Sequence, residues 1–123
     1  MYEEKLTDIE KRYDELQRKI ADPSVVTDVA AYRETMKAIS EIDQVVAKYR
    51  QLKDVRKRLA DTREMLAALS SSDDEMRELA QMEIADLEPR GPELEKEIQV
   101  LLQPKDPNDE KNVFVEIRAG TGG

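Results

Sequence analysis

From Asp28 to Leu69 the chain contains neither Gly nor Pro. The stretch is rich in Ala, Lys, Arg, Glu and Leu, which lose little side-chain freedom in a helix. It predicts one long helix, roughly 60 Å at ~1.5 Å per residue. A helix that long needs an apolar stripe packed against a neighbour. Two stripes run along it. Val29, Tyr32, Met36, Ile39 and Val46 form the first. Val45, Tyr49, Leu52, Val55, Leu59, Leu66 and Leu69 form the second, which points well away from the first. The long helix therefore changes partner near residues 40–46.

A preceding helix is expected at about 2–21. Tyr2, Leu6, Ile9, Tyr13, Leu16 and Ile20 follow a strict 4-3-4-3-4 seam, the pattern that packs on one partner helix. Asp22-Pro23-Ser24 ends it, because the residue before a proline is pushed out of the helical region. Thr27 or Asp28 supplies the next N-cap. A reversal at 22–27 lays this helix antiparallel on the first stripe, with Ile20 facing Val29, Tyr13 facing Met36 and Leu6 near Ile42 or Asp43.

A third helix is expected at 73–103, with Ala80, Ile84, Leu87, Gly91, Leu94, Ile98 and Leu101 as its seam. Ser72 and Glu75 fit a capping box at its start. Pro89, Gly91 and Pro92 interrupt it, yet the seam keeps its phase across them. This predicts a helix kinked at 89–92 rather than two helices joined by a loop. Folding back at Ser70–Asp74 sets Leu59 near Glu83 and Ile84, and Leu52 near Gly91.

The fold class read from these patterns is all-α. It is an elongated antiparallel three-helix arm, its long helix covered in succession by the first and third helices. The domains are a helical unit over 1–103, a polar linker over 104–112, and a strand with its turn over 113–123. Val113, Val115 and Ile117 alternate on one face of that strand. A lone apolar strand with no partner is a hazard, so the chain reads as the front part of something longer.

Composition narrows the chemistry. Charged residues make up 39% of the chain and aromatic ones 4%. That suits long helices with thin seams rather than a thick core. The helical spacing of the apolar positions argues against disorder. No Cys and no His are present. This excludes disulfides, thiolate nucleophiles and cysteine zinc sites, and removes the commonest general base and metal ligand. No apolar run is long enough to span a membrane, and the N-terminus lacks the apolar core of a signal peptide. A soluble cytoplasmic protein is the simplest reading. The net charge of −8 opposes broad autonomous binding of nucleic acid.

Charge also bears on partner choice. Lys48, Arg50, Lys53, Arg56, Lys57, Arg58 and Arg63 form a basic run on the long helix, and the third helix is strongly acidic. Pairing of the two is favoured over a nucleic-acid patch, because the neutralising strip comes next in sequence. The tyrosines at 2, 13, 32 and 49 are read as seam residues with their hydroxyls at the edge. Asp106, Asn108 and Glu110 have the spacing that opens a calcium loop, but Lys111 stands where that loop needs Gly. Gly120-Thr121-Gly122-Gly123 matches neither phosphate-binding fingerprint. No catalytic, cofactor-binding or metal-binding residue is assigned, and no cofactor is expected. Docking residues are not identified; the acidic outer face of the third helix and the Ser70–Asp74 turn are exposed candidates.

The tail "LLQPKDPNDEKNVFVEIRAGTGG" closely resembles the bacterial peptide chain release factor 1 family of class I release factors. Asp74-Glu75-Met76-Arg77-Glu78-Leu79-Ala80-Gln81 resembles the family's "D-x-EMREMAQ" run. The likeness is good over 73–123 and loose before that. "GTGG" favours this family over its sister, whose turn reads more like "GAGG". The resemblance implies the N-terminal region of a translation-termination factor that acts on the ribosome at UAA and UAG. The implied partners are the stalk base of the large ribosomal subunit and the GTPase that recycles release factors. The family's Gly-Gly-Gln and its stop-codon reader lie further downstream and do not occur here. Gly122-Gly123 belongs to the turn that opens the central domain. The fragment is then a docking and positioning module and not an enzyme. The alternative is a free-standing helical coiled-coil adaptor or homodimer, which the heptad seams permit.

Overall fold

A computed structural model describes residues 3–103. Five helices follow one another: α1 (Glu3–Ile20), α2 (Pro23–Val26), α3 (Val29–Ala68), α4 (Asp74–Leu87) and α5 (Arg90–Leu102). The described residues are all-α. The linker expected at 104–112 and the strand and turn expected at 113–123 lie outside them.

The reversal after α1 is not a plain turn, as the sequence suggested, but a short helix of its own. Asp22 caps α2, accepting bonds from the Ser24 backbone N–H and hydroxyl, both at 2.8 Å. Pro23 occupies its first turn, where a missing N–H costs nothing. Thr27 closes it, donating from Oγ1 to the Pro23 carbonyl at 3.0 Å. Asp28 then caps α3 by accepting from the Ala31 N–H at 3.2 Å.

α2 changes the register of α1. It packs on the start of α3 and buries Val25. α1 is thereby carried further along the long helix than a tight reversal would allow. Glu10 meets Arg50 and Lys53, and Glu3 meets Arg56. The facing pairs read from sequence, Tyr13 with Met36 and Leu6 with Ile42 or Asp43, are therefore displaced.

The first stripe is corrected accordingly. Val29, Tyr32 and Met36 are exposed, Val29 at 65%. The buried row is Thr35, Ile39 and Val46, with Ile42 half-buried between them. Thr35 tolerates burial because its hydroxyl donates to the Ala31 carbonyl at 2.8 Å. Tyr32 is thus not a seam residue.

The second stripe holds. Val45, Tyr49, Leu52 and Val55 are buried, and Leu59, Leu66 and Leu69 are half-buried. Thr62 fills the gap in its spacing and donates to Glu83. The register of the third helix holds as well. Thr62 and Arg58 meet Glu83, and Arg90 donates to Gln51 at 3.2 Å.

The middle of α3 is where the core sits. Leu6 of α1, Val45, Tyr49, Leu52 and Val55 of α3, Leu87 of α4, and Leu94 and Ile98 of α5 form one cluster. α1 and α5 thus flank α3 at one level. Coverage in succession, the arrangement read from the stripes, is true only of the two ends. The reason is again α2, which displaces α1 toward the middle.

The third helix divides at Glu88 and Pro89, just ahead of the expected 89–92. Both residues keep right-handed helical dihedrals (φ −55°, ψ −45° and φ −74°, ψ −17°). The Glu88 N–H still reaches the Ile84 carbonyl at 2.8 Å. The break is thus a kink in a continuing path, so the seam keeps its phase. Pro89 caps α5 and Pro92 lies in its first turn, where neither removes a bond that the helix would otherwise hold.

The expected capping box is not formed. Asp73 is the N-cap of α4 but makes no side-chain cap bond. Its Oδ2 instead accepts from the Ser70 N–H and hydroxyl, and the Ser72 hydroxyl pairs with that of Ser70. The three groups bind one another across the turn.

Gly91 needs no glycine here. A Cβ added to it meets nothing within 4 Å. Gly91→Ala is expected to raise stability by about 0.5–1 kcal/mol, by restricting the unfolded chain. Urea unfolding of the two proteins checks this.

Candidate docking surfaces

The basic run on α3 is satisfied within the fold. Lys48 lies 2.8 Å from Glu97, and Arg63 lies 2.7 Å from Glu88. Arg56 bridges Glu3 of α1 (2.9 Å) and Glu95 of α5 (3.1 Å), tying three helices together. Lys57 pairs with Asp61 along the helix, and Arg58 lies 3.9 Å from both Asp54 and Glu83. Pairing with the third helix, read from the charges, is thus present. Arg50 and Lys53 instead serve α1, where the sequence reading assigned nothing.

That α1 cluster is the most organised polar group of the described residues. Arg50 Nε and Lys53 Nζ both donate to Glu10 at 2.7 Å, and Arg50 also reaches Asp14 at 3.0 Å. The Arg50 guanidinium lies 5.3 Å from the Tyr13 ring centre, and Lys53 Nζ lies 4.7 Å from that of Tyr49. Such contacts favour a cation held over an aromatic face. The Tyr49 and Thr7 hydroxyls sit 3.3 Å apart. Partial burial pushes the Glu10 carboxyl up, but the bonds from Arg50 and Lys53 outweigh it and hold the group below its ordinary range. Hydrogen bonding to Lys48 likewise lowers Glu97.

A depressed folded-state pKa stabilises above the unfolded value and ceases to do so as pH falls through the folded one. Glu10→Gln is therefore expected to cost about 1 kcal/mol at pH 7. The gap between the two proteins closes as pH drops below the ordinary 4.5 and through the lowered value. Urea titrations at a series of pH values read it directly.

Among the described residues the fold leaves two groups of large apolar side chains exposed. One patch joins Val26 of α2 to Val29, Tyr32 and Met36 of α3. A second is a ridge on α4: Met76, Leu79 and Met82. The second patch lies on the acidic outer face that the charge pattern pointed to. Met76 and Leu79 precede the seam in the sequence reading, but the period is carried by Ala80, Ile84 and Leu87, which leaves these two exposed. A groove of about 430 Å³ also opens between α1, α3 and the end of α5, bordered by Ile9, Ile42, Leu101 and Leu102 with Lys5, Arg12 and Glu41 beside them.

Among the described residues no group of three or more Asp or Glu side chains is placed to hold a metal ion. No helix there is long and apolar enough to cross a membrane. The geometry defines a helical scaffold: a long rod stiffened by internal ion pairs, with apolar surface left for contact. The chain belongs to the PCRF domain family, whose model matches residues 9–123. It is 48% identical over 120 residues to peptide chain release factor 1 of Acidobacterium capsulatum, covering 98% of this chain and 33% of that protein. The release factor 1 proteins of Clostridium perfringens and Desulforudis audaxviator are 48% and 50% identical, again over about a third of their length. No solved structure matches the chain.

Proposed function

We propose that this chain is the N-terminal docking and positioning domain of a translation-termination factor. The observation that carries the reading is the 48% identity over 98% of the chain to proteins named peptide chain release factor 1. In this reading residues 1–103 form the docking domain, 104–112 link it, and 113–123 open a central domain. The factor works in the cytoplasm, on ribosomes halted at UAA or UAG. The helical domain contacts the stalk base of the large subunit and the GTPase that recycles release factors. The neutralised basic run supports contact through protein surfaces rather than through broad phosphate binding.

Two measurements test it together. The chain should sediment with bacterial ribosomes, and more weakly with ribosomes lacking the stalk-base proteins. It should release no peptide from termination complexes programmed with UAA. Peptide release by the chain alone, or absence of any ribosome binding, overturns the reading.

A further inference from the structure

α4 turns Ala80 and Leu87 inward against α3 and leaves a parallel row outside. Met76, Leu79 and Met82 stand three residues apart, which makes them one ridge on the helix surface. Leu79 is 60% exposed and Met82 59%. Carboxylates border the ridge one helical turn away. Glu75 precedes Leu79 by a turn, Glu78 precedes Met82, and Asp86 follows Met82.

These carboxylates differ from those facing α3. Glu83 and Glu88 are engaged by Thr62, Arg58 and Arg63. Among the described residues Glu75, Glu78 and Asp86 enter no ion pair, while twelve pairs bind charges elsewhere. Arg77 is the one base of α4, and it is drawn back to the Ser70 carbonyl at 2.8 Å. The ridge thus keeps an uncompensated negative border.

We propose that the Met76–Leu79–Met82 ridge is the docking site for a basic amphipathic helix of a partner protein. Its apolar face covers the ridge, and its Lys and Arg side chains answer Glu75, Glu78 and Asp86. The proposal deepens the docking role above by naming the face and the partner's chemistry. Charge complementarity selects the occupant. Phosphate backbones are repelled by the same carboxylates. A second copy of this chain would bring one acidic border against another, because an isologous contact repeats the same patch. The flexible thioethers of Met76 and Met82 let the ridge mould itself to a helix whose spacing is not ideal. The α2–α3 patch carries no such charge signature: Arg33 and Lys37 stand beside Asp28 and Glu34 there.

The test uses the whole chain and two probes. The first is a synthetic Leu/Lys peptide with leucines at i, i+3, i+4 and i+7, compared with a scrambled peptide of equal composition. NMR titration should shift the signals of Met76, Leu79 and Met82, with at least tenfold weaker binding of the scrambled peptide. Glu75→Lys with Glu78→Lys should weaken the peptide at least tenfold, as should Leu79→Ser with Met82→Ser. The helical content of each variant is checked by circular dichroism. Shifts confined to other helices, or affinity unmoved by the charge reversal, overturn the proposal.

The second probe is the bacterial ribosome in a sedimentation assay, where the charge-reversed chain should bind at least tenfold less. If ribosomes ignore the chain while the peptide maps to the ridge, the docking site stands and the termination reading falls. If ribosomes bind both chains equally and the peptide does not map to α4, the ridge falls and the termination reading stands.

Discussion

Leu52→Ala is expected to lower the free energy of unfolding by about 2–5 kcal/mol. Leu52 is fully buried. It sits in the level of α3 where α1 and α5 both pack, within the cluster that holds Leu6, Leu94 and Ile98. Truncation removes its transfer energy and leaves a void that three rigid helices cannot jointly close. The loss is severe here because the core is thin. A chain with 39% charged residues has few apolar side chains to share the load, and small domains are stable by only about 5–15 kcal/mol. Leu79→Ala serves as the contrast. The same chemical change on the exposed ridge should stay within about 0.5 kcal/mol. Urea unfolding of both variants measures the difference. A loss at Leu52 no larger than at Leu79 would mean that α1 and α5 do not close over it.

The elements that were legible in the sequence are those whose partners follow directly in the chain. The third helix folds back through a short turn, so its seam fixes its register. Leu87, Leu94 and Ile98 are buried where the spacing put them. The kink could be foreseen because Pro89 and Pro92 interrupt hydrogen bonding without shifting the phase of that seam.

α1 was half legible. Its seam is right, with Leu6 and Leu16 buried. Its position is not, because three things outside the seam decide it. The first is α2, a helix of 4 residues that no periodicity announces. The second is Glu10, whose two bonds to Arg50 and Lys53 lock α1 against the middle of α3. The sequence assigned those bases to the acidic helix that follows them, while the carboxylates of α1 compete for the same charges and win two of them. The third is threonine. Thr35 and Thr62 occupy core positions in the two stripes, each with its hydroxyl satisfied. A polar residue that spends its hydrogen bond inside the fold is invisible to a hydrophobic pattern. With Thr35 counted as polar, the pattern puts Met36 and Tyr32 on the buried face in its place.

The exposed stripe that results is informative about the domain. Val29, Tyr32 and Met36 would be covered if α1 lay where a tight reversal places it. Moving α1 to the middle exposes them and concentrates the core at one level. The cost is apolar surface at the tip; the gain is a three-helix cross-section in which Arg56 joins α1 to α5 across α3. The rod is thus fixed at its middle, covered by α4 at its far end, and left with exposed apolar side chains at the end where Val29, Tyr32 and Met36 stand.

Leu6→Asp should separate α1 from the rest without unfolding the rest. Leu6 is 1% exposed and is the α1 member of the central cluster. A carboxylate there enters an apolar cluster, where the neighbouring cations Lys53 and Arg56 are already engaged by Glu10 and Glu3, and an uncompensated buried charge costs about 3–5 kcal/mol. Against that, α1 is held by exposed pairs at Glu3, Glu10 and Asp14, each contributing about 0–1 kcal/mol. Leu16 adds about 1.5–3 kcal/mol to what holds α1, but the mutation also forfeits a similar amount at Leu6, so the penalty still exceeds what these pairs return and α1 leaves. Once free, an isolated helix of this length is only marginally stable in water. α4 and α5 pack directly on α3 through their own seams, and those contacts do not pass through α1. The expected result is a loss of helical signal by circular dichroism no larger than the 18 residues of α1. Amide exchange should speed up throughout Glu3–Ile20 while Asp74–Leu87 and Arg90–Leu102 stay protected. Leu6→Met, which keeps volume and polarity, should show neither change. If the whole helical signal collapses at once, α1 is part of a single cooperative unit, and the α3–α4–α5 hairpin does not stand without it.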